Sequence, residues 1–166
     1  MAVLVRFDDR GGWDETLVCE VRVQGGLRAL GVLQGRWPAQ ERAAPAAYDA
    51  RYRLLAQLPQ ADASAWYVAE GTVLFHLASA QGWLGLLCEA GEWLVLPAQL
   101  QYAFDPGEPP AEVVRVPETQ AGEHESACFQ AALPRHREFV HRLLALSGDV
   151  VTTNRPPHSL PQGRSA

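Results

Sequence analysis

Tyr102 could serve as a general acid or base if Arg115 lay beside it. A phenol becomes a useful acid or base when a neighbouring cation favours its charged form, and such catalysis asks mainly for correct placement. The guanidinium has a second use, because paired hydrogen bonds from Arg favour an anionic or enolate-bearing small molecule. Four more residues complete the candidate site. Ser64 and Trp66 share a parity with Val68, Tyr102 shares one with Phe104, and a barrel would turn both sets inward. Gln60 and Ser64 would then orient a carbonyl or hydroxyl group, with Trp66 and Phe104 lining a mixed pocket. The competing readings are a core tyrosine with a satisfied hydroxyl, a salt-bridged surface arginine, and polar residues that simply occupy a barrel mouth.

Other chemistries are poorly supplied. All 14 basic residues are Arg, which excludes Schiff-base and lysine-nucleophile mechanisms. Cys19, Cys88 and Cys128 are odd in number and widely spaced, so reduced, partly buried thiols are expected rather than a disulfide framework or a zinc ribbon. His76 is the one imidazole in the strand region, and its parity groups it with Leu74 and Ala78, opposite Phe75 and Leu77. His136 and His141 lie among Arg135, Arg137 and Arg142, a pattern expected of a solvated basic helix face. Glu70 and Glu89 border turns and read as structural.

The elements that must position these residues follow from periodicity. Val3, Val5 and Phe7 alternate with Leu4 and Arg6, a short strand ended by the turn-forming run Asp8 to Gly12. Residues 16–30 are ambiguous. Leu17, Cys19, Val21 and Val23 have strand parity, whereas Leu27 and Leu30 fit a helical stripe interrupted by Gly25 and Gly26. Pro45 opens a helix in which Tyr48, Tyr52 and Leu55 recur on one face before Pro59 stops it. From Ser64 the period becomes two, over Trp66–Val68, Val73–Leu77, Trp83–Cys88, Trp93–Leu96, Tyr102–Phe104 and Val113–Val116, punctuated by Gly and Pro. Short strands so regularly spaced imply a mainly β protein, an antiparallel barrel or jelly roll. Pro134 opens a last helix whose stripe of Phe139, Leu143 and Leu146 would cover the barrel, with Gly148 as its stop.

The 166 residues, 48% hydrophobic, suit one domain over residues 1–150, with a barrel core at about 58–131 and a covering helix at about 134–147. The Pro-rich polar run 151–166 reads as a flexible tail. A net charge of −5 argues against nucleic-acid and anionic-membrane partners. No signal pattern opens the chain and no apolar run reaches the roughly 20 residues of a membrane span, so a cytoplasmic protein is expected. Strand edges or barrel faces offer a route to a homodimer.

Within the strand region, Glu70-Gly71, Leu87-Cys88-Glu89, Gly91-Glu92, Leu96-Pro97-Ala98, Phe104-Asp105 and Arg115-Val116 occur in an order that resembles the barrel of bacterial acireductone dioxygenases, members of the cupin superfamily. The resemblance covers roughly residues 58 to 116, with a fainter echo at Gly31 to Trp37, and implies a cupin double-stranded β-helix with a few flanking helices. Family members hold Fe(II) or Ni(II) with His-x-His-x-x-x-Glu and a later His. The matching positions here are Leu58, Gln60, Ser64 and Tyr102, a set poorly matched to those metals, so neither metal nor other cofactor is expected. A cavity Arg of the family is replaced by Trp66, while Arg115 matches a family Arg thought to face the substrate. The resemblance also implies an outward orientation for His76. The retained barrel, the retained Arg115 and polar replacements at three of the four ligand positions lead us to expect a metal-independent small-molecule enzyme of isomerase, cyclase or dehydratase type, with specialised metabolism a natural setting. The alternatives are a non-catalytic ligand-binding or assembly module, and a true dioxygenase using Fe(II) or Ni(II).

Overall fold

The computed structural model describes residues 1–38, 46–59, 62–117 and 133–153. Strand β1 (Val3–Phe7) and β2 (Trp13–Leu17) form a hairpin, followed by helix α1 (Glu20–Arg28), strand β3 (Leu33–Arg36) and helix α2 (Ala46–Gln57). Six strands come next: β4 (Ser64–Glu70), β5 (Thr72–Ser79), β6 (Gly82–Glu89), β7 (Glu92–Leu96), β8 (Tyr102–Asp105) and β9 (Glu112–Val116). Helix α3 (His136–Thr153) closes the described chain.

All the strand pairings are antiparallel and fall into two sheets, β2-β1-β6-β5-β8 and β3-β7-β4-β9. Within β4 to β9 the pairs β4·β9 and β5·β8 are nested and belong to different sheets. That arrangement is a long hairpin rolled up on itself, a mainly β jelly roll of the double-stranded β-helix kind that the resemblance implies. The resolution of each strand into alternating faces then produces three cores. Leu4, Trp66, Phe75, Leu86, Leu94 and Tyr102 belong to the buried cluster between the sheets. The outer face of the four-stranded sheet offers Ala65, Tyr67 and Val95 to Ala50 and Leu54 of α2. On the outer face of the other sheet, Val5, Phe7 and Leu74 pack with Phe139 of α3.

Several expectations change at this level. The ambiguous segment 16–30 divides, the strand ending at Leu17 and the helix burying Val23 and Leu27. Gly26 interrupts nothing, because a Cβ there would lie 2.6 Å from Leu4 Cδ2 and the glycine lets α1 rest on the sheet. In α2 the buried face is Ala50 and Leu54, while Tyr52 and Leu55 are exposed, so the expected stripe is on the wrong side. The side chain of Tyr48 lies outside the described residues. The buried face packs in one cluster with Trp37 and Tyr67, whose stacked ring centroids lie 4.5 Å apart, so the helix meets large rings with a small residue and a leucine. In α3 only Phe139 of the expected stripe is fully buried, and Leu146 is exposed. The helix also continues through Gly148 to Thr153, since a glycine inside a helix weakens it by roughly 1 kcal/mol without ending it.

His76 and His136 are corrected too. His76 does face away from the barrel interior, but it is buried, and its Nε2–H donates to the Pro134 carbonyl at 2.8 Å. His136 is half-buried rather than solvated, with Nε2 2.9 Å from Thr72 Oγ1. Asp105, also buried, accepts the His136 backbone N–H at 3.0 Å and pairs with Arg135 at 3.1 Å. Together these contacts fasten the start of α3 to the outer face of the five-stranded sheet. Glu89 is structural as expected, pairing with Arg36 and the N-terminal ammonium.

Candidate functional site

Register brings residues from both sheets to one place. On β4, Trp66 is paired with Leu94 of β7 on one side and Arg115 of β9 on the other, so indole and guanidinium share the inner face of the four-stranded sheet. On the opposing sheet Tyr102 and Phe104 of β8 pair with Leu77 and Phe75 of β5. The turn before β8 fixes where that strand begins, with Leu100 N–H bonded to Pro97 O and Ala78 N–H to Gln101 O.

The side chains meet across the gap. Arg115 Nη2 donates to Tyr102 Oη at 3.3 Å, and the Arg115 guanidinium carbon lies 4.6 Å from the Trp66 ring centroid. That stacking is a cation–π contact worth about 1–2 kcal/mol when partly desolvated. Trp66 in turn sits 4.8 Å from Phe104 and edge-on to Phe75 at 5.3 Å and Tyr102 at 6.1 Å. Its indole N–H reaches Ser64 Oγ at 3.2 Å. Arg115 Nε is buried and has no hydrogen-bond partner among the described residues. A buried donor left unsatisfied usually marks strain or a missing acceptor.

Five of the six sequence-derived site residues, Ser64, Trp66, Phe104, Tyr102 and Arg115, are thus brought together. Gln60 lies outside the described residues. Leu58 points elsewhere, packing half-buried against the Trp37 and Tyr67 cluster on the outer face. Sequence reasoning missed Phe75, which is fully buried and touches three of the site rings. Its signal was present in the alternation of β5, where Phe75 and Leu77 oppose His76.

Chemically, the assembly offers a phenol, a guanidinium with a buried N–H, a hydroxyl held by an indole, and aromatic faces on which a planar molecule can stack. Among the described residues no three His, Cys, Asp or Glu side chains form a group able to hold a metal ion. Cys88 is no nucleophile, because complete burial pushes its thiol pKa far up.

No protein-family model matches the chain, and no curated protein matches it in sequence. Among solved structures, an acireductone dioxygenase from Bacillus anthracis with a cadmium ion in its active center is similar at 16% identity and a TM-score of 0.48, over 69% of this chain and 91% of that one.

Proposed function

We propose that this chain is a small-molecule enzyme that works without a transition metal, moving a proton on an anionic or enolate-bearing ligand held at Tyr102 and Arg115. The observation that carries this reading is the Arg115 guanidinium, stacked on Trp66, bonded to Tyr102 and left with a buried N–H to give. In the proposed step the Tyr102 hydroxyl gives its proton to the carbon of a bound enolate. The enolate electron pair forms the new C–H bond, the carbonyl re-forms, and the phenolate left behind is held by the Arg115 N–H. Return of a proton from another carbon to that phenolate completes an isomerisation with no electrons gained or lost. Ser64 orients a ligand oxygen, and Trp66 and Phe104 stack on the planar enolate.

Metal independence draws support from the donor set. Of the positions the resemblance puts in ligand places, Leu58 has no donor, the Ser64 hydroxyl accepts from Trp66, and the Tyr102 hydroxyl accepts from Arg115. These do not fit Fe(II) or Ni(II), which favour imidazole and carboxylate shells. Protein purified without chelator is expected to contain neither metal, and stoichiometric iron or nickel by elemental analysis would overturn this part of the reading.

Proton transfer is tested by deuterium exchange. Incubated in D2O with 2-oxobutanoate, the protein is expected to exchange the C3 protons above the buffer rate by NMR, with Tyr102→Phe and Arg115→Ala each losing about 100-fold or more. Equal exchange by both variants sinks the site. A second reading, a binding module without catalysis, is favoured by one observation: the rings of Trp66, Phe75, Tyr102 and Phe104 contact one another across the interior. Saturable binding of 2-oxobutanoate that needs Arg115, with no exchange, selects it.

A further inference from the structure

A cavity of about 460 Å³ opens to solvent at one end of the five-stranded sheet, between the β1–β2 turn, the end of α1 and the β5–β6 turn. Its size falls within the range of about 300–1,000 Å³ that small-molecule sites occupy. It is distinct from the Tyr102 and Arg115 site. Leu84, which lines it, is paired with Leu77, and Leu77 with Tyr102, so two leucine side chains in one row stand between the cavity and the phenol.

Two independent features make this cavity electronegative. The first is Asp9 and Asp14, which line it, are exposed, and have no ion pair among the described residues. The second is the last turn of α1, whose cap residue Ala29 also lines the cavity at the negative end of the helix dipole, while the exposed Arg28 of that turn lies outside the lining. Arg6 is the one basic residue among the described residues of the lining, and it is engaged by Glu15, 3.5 Å from its Nε. Asp8 is pinned in place, its Oδ1 accepting the backbone N–H groups of Arg10 and Gly12. The remaining wall is mostly apolar, including Leu30, Leu84 and the half-buried Trp83, with Ser79 and Gln81 as its uncharged polar members. An indole and carboxylates in one lining suit an ammonium group, through charge and cation–π attraction, while the leucines take an apolar body.

We propose that this cavity is a binding site for a small amphipathic organic amine, of charge opposite to the ligand of the Tyr102 and Arg115 site. The protein's net charge of −5 adds long-range attraction for such a cation. The test uses three probes of one shape and different charge, phenethylamine, 2-phenylethanol and phenylacetate, titrated into the ¹⁵N-labelled full chain. Phenethylamine is expected to shift the amide signals of Gly26 to Leu30 and Ser79 to Leu84 with a Kd of about 1 mM or tighter. The alcohol and the carboxylate are expected to bind about ten-fold more weakly or not at all. Replacing Asp9 and Asp14 together by Asn removes the preference for the amine, and because both residues are exposed the thermal transition stays where it was. Arg115→Ala leaves amine binding intact, so failure of the proton-transfer reading and failure of this site are told apart. No shift with phenethylamine at 10-fold above that concentration, equal binding of phenylacetate, or an unchanged affinity in the double Asn variant overturns the proposal.

Discussion

Tyr102 and Trp66 do different work in the same cluster, and substitutions separate it. Tyr102→Phe keeps the ring against Trp66 and Phe75 but removes the acceptor of the Arg115 N–H, so it is expected to lower stability by only about 1 kcal/mol. Trp66→Ala removes a buried indole that touches three aromatic rings and the guanidinium, an expected loss of about 3–5 kcal/mol. Urea midpoints at unchanged m-value check both, and equal losses would show that the hydroxyl, not the ring, organises the cluster. At this scale most of the candidate site was legible, because a period of two groups Ser64 with Trp66 and Tyr102 with Phe104, and an expected barrel turns both sets inward. Arg115 was legible only through the resemblance. Phe75 went unnoticed for the opposite reason: an apolar residue on an inner face looks like ordinary core until its ring neighbours are known.

Elements hide what parity cannot see. Strand alternation set His76 opposite Phe75, and the resemblance turned it away from the barrel, yet neither says whether the chain covers that face, and the segment entering α3 does. Burial lowers the His76 pKa from the ordinary imidazole value, a shift opposed by the bond to Pro134 and by Asp105 and reinforced by Arg135. The unfolded chain therefore binds a proton on this ring more readily than the folded one. It follows that the His76 contribution is fully present above a pH of about 6.5 and is lost as pH falls toward the depressed folded value. Unfolding free energy at pH 5 should be lower than at pH 7.5, and His76→Asn should flatten that difference; identical pH slopes would exclude His76 as the cause. The same helix makes a steric prediction. A Cβ on Gly85 would stand 2.7 Å from Phe139 Cε2 and 2.8 Å from Phe7 Cε2, so Gly85→Ala is expected to destabilise by about 1–3 kcal/mol through overpacking. A thermal melt unmoved by the alanine would mean that α3 shifts freely on the sheet. The apolar face of α2 was misjudged for a related reason: Tyr52 and Leu55 have the right spacing, but the small Ala50 beside Leu54 is what fits over stacked rings.

Across the whole molecule the two sheets act as partitions between three cores. Leu54 lies in the cluster outside the four-stranded sheet, and Phe139 in the cluster outside the five-stranded one, with the interior cluster and both sheets between them. Among the described residues no side chain is shared by these two outer clusters, so a local relaxation at one has no direct side-chain contact to the other. Leu54→Ala is expected to remove about 2–5 kcal/mol and Phe139→Leu about 1–2 kcal/mol. Combined, they should add to within about 0.5 kcal/mol. Additivity does not require independent unfolding, however. Each sheet gives one face to an outer cluster and the other to the shared interior, so loss of either outer layer exposes a sheet on which the interior cluster depends. The double variant should therefore still unfold in one transition, seen at the same urea concentration by far-UV dichroism and by tryptophan fluorescence. Two separated transitions would show that an outer helix layer detaches while the rolled sheets stay folded, and the interior cluster alone would then account for the stability of the barrel.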